Sequence, residues 1–377
     1  MTTKMPNYRT DHVGSLIRPK ELLDAQEGLD DVRSPGTTVM KTKSPKLIEI
    51  EDKTIRDVVK LQEDAGVDVV TDGEFRRASY FADFMSRVGG LEITRQTSDF
   101  SFVNGTPGTQ ISVVGKVSPS AGGIMTKDFA YLKSVTKKAT PKVTIPSPTH
   151  AQFFESEERL KNRDAYKNMD AWWDDMIKAY QGELKALAAA GCTYAQYDDT
   201  TFVKLCDPKF TDELKRRGID PAQRFDHWID VLNRTLEGKP AGMTVAIHQC
   251  RGNGPQGAWI SQGGYDPVAE KLFSELKFDR FLLEYDSERA GGFAPLRFVP
   301  KDKSAVLGLM TTKNAELESA DTLKRRIDEA SKYIDPDQLA LSPQCGFASG
   351  RVGGMMTIAQ EADKLKRIVE TAHAVWH

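Results

Sequence analysis

Short runs of β-branched and other apolar residues alternate along this chain with longer stretches whose apolar positions recur at helical spacing. The spacing predicts strands ending near His12–Ser15, Val67–Thr71, Lys142–Pro146 and Thr193–Tyr197, then near Thr244–His248, Phe281–Tyr285, Ala305–Leu309 and Leu339–Ser342. Between them it predicts amphipathic helices over Ile48–Ala65, Tyr166–Ala190, Asp212–Leu236, Pro267–Leu276, Ala315–Tyr333 and Ile358–Trp376. The strands read as nearly continuous Val, Ile, Leu and Ala, which suits parallel strands covered on both faces. The pattern therefore predicts an α/β chain, a (β/α)8 TIM barrel, with residues 1–377 forming one catalytic domain. A doubly wound open sheet is the alternative, but no Gly-x-Gly-x-x-Gly follows the first strand to mark a dinucleotide site.

Two stretches exceed what a bare barrel needs. Leu91–Thr140, with Ile111-Ser112-Val113-Val114-Gly115 and its Gly and Pro punctuation, predicts a hairpin excursion before the third strand. Asp24–Ser44, rich in Gly, Pro, Ser and charge, reads as a mobile loop over the first strand.

Charge narrows the partners. Lys plus Arg number 52 against 54 Asp plus Glu, a formal net charge of -2, so no basic field draws in nucleic acid or an anionic membrane. A small-molecule substrate is the expectation. No apolar run reaches the roughly 20 residues that span a bilayer, and Met1–Thr10 lacks the apolar core of a signal peptide, so a cytoplasmic location is expected. Cys192, Cys206, Cys250 and Cys345 do not make a disulfide framework in so long a chain, and some can bind metal.

Barrel enzymes carry their reactive groups where strands end, so the strand ends are the places to search. The fifth ends in His248-Gln249-Cys250, and residues two apart on an extended chain point to one side. The sixth ends at Glu284, a carboxylate that is costly beside apolar residues unless paired, protonated or metal-bound. The eighth ends in Ser342-Pro343-Gln344-Cys345-Gly346. A lone His-x-Cys is usually a hydrogen-bonded histidine beside an inert thiol. Four such groups at what read as three adjacent barrel positions favour a metal, and the mixture of N, S and O donors favours zinc over magnesium or calcium.

With these residues in view, the chain is similar to the catalytic barrel of cobalamin-independent methionine synthases, above all to short, single-barrel relatives. The resemblance runs nearly end to end, through Asp11-His12-Val13-Gly14-Ser15, Thr71-Asp72-Gly73-Glu74-Phe75-Arg76-Arg77, His248-Gln249-Cys250-Arg251-Gly252-Asn253, Leu283-Glu284-Tyr285-Asp286-Ser287-Glu288-Arg289-Ala290-Gly291 and Ser342-Pro343-Gln344-Cys345-Gly346-Phe347. It implies His248, Cys250, Glu284 and Cys345 as zinc ligands, and transfer of a methyl group to the thiol of homocysteine to form methionine. It further implies that Glu74 and Asp198 are catalytic and hold the substrate ammonium, with the Gly14-Ser15 backbone also binding substrate. Two thiolates and one carboxylate offset the zinc dication by three, and the negative excess keeps electron density on a substrate sulfur.

The chain departs from the full-length family pattern in two ways. It has no room for the second, N-terminal barrel that helps hold folate, and it reads Met310-Thr311-Thr312-Lys313-Asn314 where the family carries a proton-donating histidine. Lys313 replaces that histidine, or the proton is not needed. The donor is accordingly left between a folate and a methylcorrinoid, with a corrinoid protein as one source. Alkylation of another thiol, as in epoxyalkane:coenzyme M transfer, is the first alternative, and a metal-free porphyrinogen decarboxylase-like barrel is the second.

Other residues carry weaker expectations. His150, after Pro146-Ser147-Pro148, is a candidate substrate contact. His12 divides evenly between pocket and core, and so do Asp72 and Asp199 between site and structure. Cys192, Cys206 and His227 read as structural, while Tyr80, Phe81 and Phe84 read as either lid or core.

Overall fold

The computed structural model describes residues 8–27, 43–94, 103, 110–153, 159–351 and 355–376. Most of the Asp24–Ser44 loop falls outside them. Among the described residues ten strands are formed: β1 (Val69–Val70), β2 (Gly89–Thr94), β3 (Gln110–Ser118), β4 (Thr140–Pro141), β5 (Val143–Pro146), β6 (Tyr194–Asp199), β7 (Thr244–Gln249), β8 (Arg280–Glu284), β9 (Ser304–Met310) and β10 (Leu339–Pro343). Strands β5 to β10 make one six-stranded parallel sheet, each beside its neighbour in sequence. Every residue of β5, β6, β7, β8 and β10 is buried, as the continuous apolar runs required.

Parallel pairing continues beyond this sheet. Pairing of β1 with β4 is parallel, and Lys142 joins β4 to β5 while donating its amide to Val70 O. On the other edge Thr10 bridges Leu341 of β10 in parallel. Seven buried residues, Val13, Val69, Tyr194, Ala246, Leu282, Val306 and Ala340, pack on one another as a single layer drawn from seven of the eight segments. Such a layer forms where strands curl round a common interior. The architecture is TIM-like.

The first two segments are less regular than the apolar pattern predicts. Residues 12–15 form no strand, and the second strand is only two residues long. Side chains take over the missing ladder. Asp68 Oδ2 accepts from the amides of Arg9 and Thr10 at 2.8 Å, and Thr10 Oγ1 accepts from the Asp68 amide. Gln62 accepts from Thr71 N and donates to Thr71 O, both at 2.9 Å, as a neighbouring strand would.

Among the described residues ten α-helices accompany the strands: α1 (Lys20–Gln26), α2 (Pro45–Ala65), α3 (Ala82–Arg87), α4 (Thr126–Val135), α5 (Met169–Ala189), α6 (Pro208–Arg216), α7 (Pro221–Thr235), α8 (Ala269–Glu275), α9 (Ala320–Ala330) and α10 (Ile358–Trp376). The single helix expected over Asp212–Leu236 is in fact two. Gly218 at φ +74° ends the first, and Asp220 with Pro221 starts the second, the Asp220 side chain accepting from Ala222 N. The expected excursion is present as the antiparallel pair β2 and β3, followed by α4, ahead of the third barrel strand. Among the described residues no helix is long and apolar enough to cross a membrane.

Candidate metal centre

The ends of β7, β8 and β10 bring His248, Cys250, Glu284 and Cys345 together, all buried, with one ligating atom from each lying within 4.8 Å of the others. The two sulfurs are 3.5 Å apart. These strands are not adjacent as the linear reading had it, because β9 lies between β8 and β10. Gly308 of β9 is what lets the ligands meet. It pairs with Glu284 on one side and Ser342 on the other, and a Cβ there would stand 2.7 Å from both Gln344 Cα and Leu283 O. The β10 register shifts between Ser342 and Pro343, just before the segment that carries Cys345.

Three of the four groups, His248, Glu284 and Cys250, are oriented by a further partner. His248 Nδ1 lies 3.3 Å from Leu282 O, and its Nε2 is buried with no hydrogen-bond partner. That arrangement fixes the tautomer that leaves Nε2 a lone pair for a metal. Glu284 Oε1 accepts from Arg251 N at 2.8 Å and Oε2 from Arg289 Nη2 at 3.1 Å. Arg251 in turn donates to Tyr265 Oη and Gly263 O, and Arg289 donates to Asp286 Oδ1. The Cys250 sulfur accepts from Gly252 N at 3.3 Å.

Without a cation the centre is crowded with groups that cannot all ionise. The hydrogen bond to Cys345 and the contact with His248 hold the Cys250 thiol well below its usual range, while Cys345 is driven well above it by Cys250 and by burial. Burial and the charge of Cys250 raise Glu284. An imidazole, two thiols and a carboxylate at this spacing fit a tetrahedral zinc ion. The orphaned His248 Nε2 is the clearest sign of fit.

Two carboxylates lie beside this centre. Asp198 of β6 is the register partner of His248, and its Oδ1 accepts from Gln196 Nε2 at 2.7 Å. Burial and the charge of Glu74 push its carboxyl up to about 7. Glu74 has φ +62°, a left-handed conformation unusual for a residue with a side chain. Its amide donates to Asp72 Oδ1, its Oε1 accepts from Thr144 Oγ1 at 2.9 Å, and its Oε2 is buried without a partner. Burial raises the Glu74 carboxyl, against the pull of Arg77, whose Nη1 stands 3.6 Å away. Gly14 packs against this carboxylate, since a Cβ there would lie 2.6 Å from Thr144 and 3.3 Å from Glu74 Oε1. The Ser15 carbonyl accepts from Phe347 N, which ties the first loop to the Cys345 loop.

The remaining candidates separate cleanly. Asp72 closes the turn under Glu74, and both oxygens of Asp199 are spent on Thr149, Thr201 and Phe202. His150 is partly covered by Tyr80 and Phe81, and its Nδ1 lies 2.8 Å from Thr200 Oγ1. Burial and nearby Lys204 hold it down at about 3, so it is neutral. His12 is buried too and held at about 4 by burial and Lys142. Burial pushes Cys192 and Cys206 up to about 12, as suits inert thiols. Lys313 donates to Gly252 O at 2.9 Å and Asn253 Oδ1 at 2.8 Å, clamping the loop after Cys250.

Reading the chain missed Arg289, Gln196 and Arg18 as supports of the site. Arg18 donates to the carbonyls of Ala348, Gly350, Glu74 and Arg77, and so joins three loops. Arg289 stands in the same motif as Glu284, so its nearness was legible, but a guanidinium at position 18 had no local signal.

Comparison with known proteins agrees with this architecture. A model of the cobalamin-independent synthase catalytic domain matches residues 37–373. The chain is 39% identical over 376 residues to the uncharacterized protein YxjG of Bacillus subtilis (strain 168), covering 99% of this chain and 96% of that protein. It is 22% identical over 347 residues to the methionine synthase of Pyrococcus abyssi, covering 91% of this chain and 87% of the other. Among solved structures, a Listeria monocytogenes protein assigned as a vitamin-B12 independent methionine synthase superposes with TM-score 0.74 and 30% identity over the whole of both chains. A B12-independent methionine synthase from Shewanella sp. W3-18-1, solved with selenomethionine, shares the fold with TM-score 0.72, 22% identity and 98% coverage of each chain.

Proposed function

The chain belongs to the cobalamin-independent methionine synthase family through its catalytic domain, and from that premise we propose that it methylates the thiol of homocysteine at a zinc centre held by His248, Cys250, Glu284 and Cys345. The observation that carries the proposal is the juxtaposition of two unlike sites on neighbouring strands. Four groups able to hold a metal converge on one point, and two buried carboxylates, Asp198 and Glu74, stand beside them, each with one oxygen that accepts no hydrogen bond among the described residues. A thiol that also bears an ammonium group satisfies both.

Zinc at this centre would act as a Lewis acid, lowering the pKa of a coordinated thiol and keeping its sulfur nucleophilic at neutral pH. The protein does the rest by placement. Glu74 Oε2 and the Asp198 carboxylate take the ammonium, which pins the amino-acid end of the substrate and directs its thiol to the metal centre. Arg251 N and Arg289 hold Glu284 in one orientation, and Leu282 O holds His248. Burial keeps bulk water from competing for the ligands.

The donor half of the pocket differs from the pattern that a folate donor implies. Lys313 stands where a proton-donating histidine is expected, and its ammonium is engaged by Gly252 O and Asn253 Oδ1. This favours a donor whose departing group needs no proton, as a methylated corrinoid does. A sulfonated thiol such as coenzyme M fits less well, because Glu74 and Asp198 would repel its anionic end. A metal-free decarboxylase leaves the four converging ligand groups unexplained.

X-ray absorption at the zinc edge, with and without homocysteine, tests the centre. One added sulfur in the metal's shell supports the proposal, and an unchanged shell contradicts it. Calorimetric titration with homocysteine and with coenzyme M tests the acceptor, and methionine formation from methylcobalamin or methyltetrahydrofolate tests the donor.

A further inference from the structure

Beneath Asp198 the barrel interior holds a polar network that methyl transfer as described leaves without a role. Lys142 is fully buried. Its ammonium donates to Asp11 Oδ1 at 2.6 Å, to Gln196 Oε1 at 2.7 Å and to the carbonyl of His12, which spends all three of its donors. Asp11 also accepts from Tyr194 Oη at 2.6 Å and lies 3.7 Å from Arg280.

An ammonium cannot accept a hydrogen bond, so the side of the Gln196 amide that meets Lys142 must be its oxygen. The amide nitrogen is thereby turned the other way. There it donates to Val13 O at 2.6 Å and to Asp198 Oδ1 at 2.7 Å. Both amide protons are spent, and the side chain cannot flip without setting its NH2 against Lys142. Asp198 Oδ2 receives no hydrogen bond among the described residues. Charge balance runs in the same direction. Lys142 and Arg280 are two buried cations, Asp11 is one anion, and an ionised Asp198 supplies the second.

We propose that Lys142 and Gln196 are positioning residues for ammonium recognition: Lys142 sets the sense of the Gln196 amide, and that amide pins Asp198 Oδ1 so that Oδ2 meets the substrate ammonium. The inference rests on the reading above that the acceptor is a thiol carrying an amino group. It assigns to a charge at the start of a barrel strand a role in specificity at the other end, transmitted by one rigid amide.

The test compares homocysteine with 4-mercaptobutanoate, the same thiol acid without the amino group, by calorimetric titration of the zinc-loaded protein. Wild type, Gln196→Met and Gln196→Glu are measured. Methionine keeps the shape without the hydrogen bonds, and glutamate keeps the acceptor for Lys142 without a donor for Asp198. Wild type is expected to prefer homocysteine. In both variants this preference should shrink by about tenfold or more, the usual scale for a charge-assisted hydrogen bond. Affinity for 4-mercaptobutanoate should stay unchanged. If Gln196→Met does not fold, Gln196→Glu carries the comparison. An undiminished preference in the variants overturns the inference, and so does an equal loss for both thiols, which would mark a merely structural role. A wild type that binds the two thiols equally overturns instead the ammonium reading on which the inference rests.

Discussion

The sulfurs of Cys250 and Cys345 lie 3.5 Å apart although 95 positions separate them in the chain. Two buried thiols at that distance cannot both ionise unless a cation lies between or beside them. Replacing Cys345 by serine removes one soft donor and one negative charge. Zinc content measured by mass spectrometry should fall well below one ion per chain, and thiol methylation should fall with it. Full metal content and full activity in Cys345→Ser would contradict the ligand assignment.

Arg289 holds Glu284 Oε2 and Asp286 Oδ1 with one nitrogen, at 3.1 and 3.2 Å. Arg289→Met leaves a fully buried carboxylate without its guanidinium. The Glu284 carboxyl should then rise further, favouring the protonated form that ligates poorly. Zinc affinity, read by competition with a chromophoric chelator, should drop by roughly 10–100-fold, as for other groups that orient a ligand. The helical content should be unchanged.

Gly308 sets the approach of β10 to β8. In Gly308→Ala the new methyl would meet Gln344 Cα and Leu283 O at 2.7 Å, both of them atoms that cannot step aside without moving backbone. We expect a stability loss of about 1–3 kcal/mol in denaturant titrations, together with weakened zinc binding. Loss of stability with unaltered metal affinity would mean that the Cys345 loop moves independently of the strand.

Glu361 of α10 is fully buried, accepts from Ile17 N at 2.8 Å, and has its other oxygen unpartnered. Burial pushes its carboxyl up from 4.5 to about 8. The folded protein therefore keeps a proton that the unfolded chain gives up near 4.5, so stability is greatest below that pH and is lost as pH rises to about 8. The loss from this group should be on the order of 5 kcal/mol. Glu361→Gln keeps an acceptor for Ile17 N without the charge. It should flatten this part of the stability profile and exceed wild type at pH 8.5, as measured by urea denaturation at several pH values.

Much of the architecture was legible because parallel strands buried on both faces leave a continuous apolar signature. Strands β5 to β10 and helices α2, α5 and α10 carry it clearly. The first two segments do not, because Gln62 and Asp68 do work that backbone ladders do elsewhere, and a polar side chain acting as a strand leaves no period to read. The break between α6 and α7 was visible in Gly218 and Pro221, but the long apolar period over Asp212–Leu236 outweighed it.

Within the site, residue type and position at a strand end were enough to single out His248, Cys250, Glu284 and Cys345, because ligating chemistry depends on which atoms a side chain offers. Their mutual spacing was not. It depends on the turn of the ring and on Gly308 of β9, a strand that contributes no ligand. The sequence by itself supplied the candidate donor set, the crossover pattern and the near balance of charge. Tertiary structure alone decided that Lys142 reaches Asp198 through Gln196, that Arg289 braces Glu284 and that Arg18 joins three loops. The physical reason is range: periodicity records how each segment is buried, whereas hydrogen bonds between segments exist only once closure has brought distant strand ends to one face.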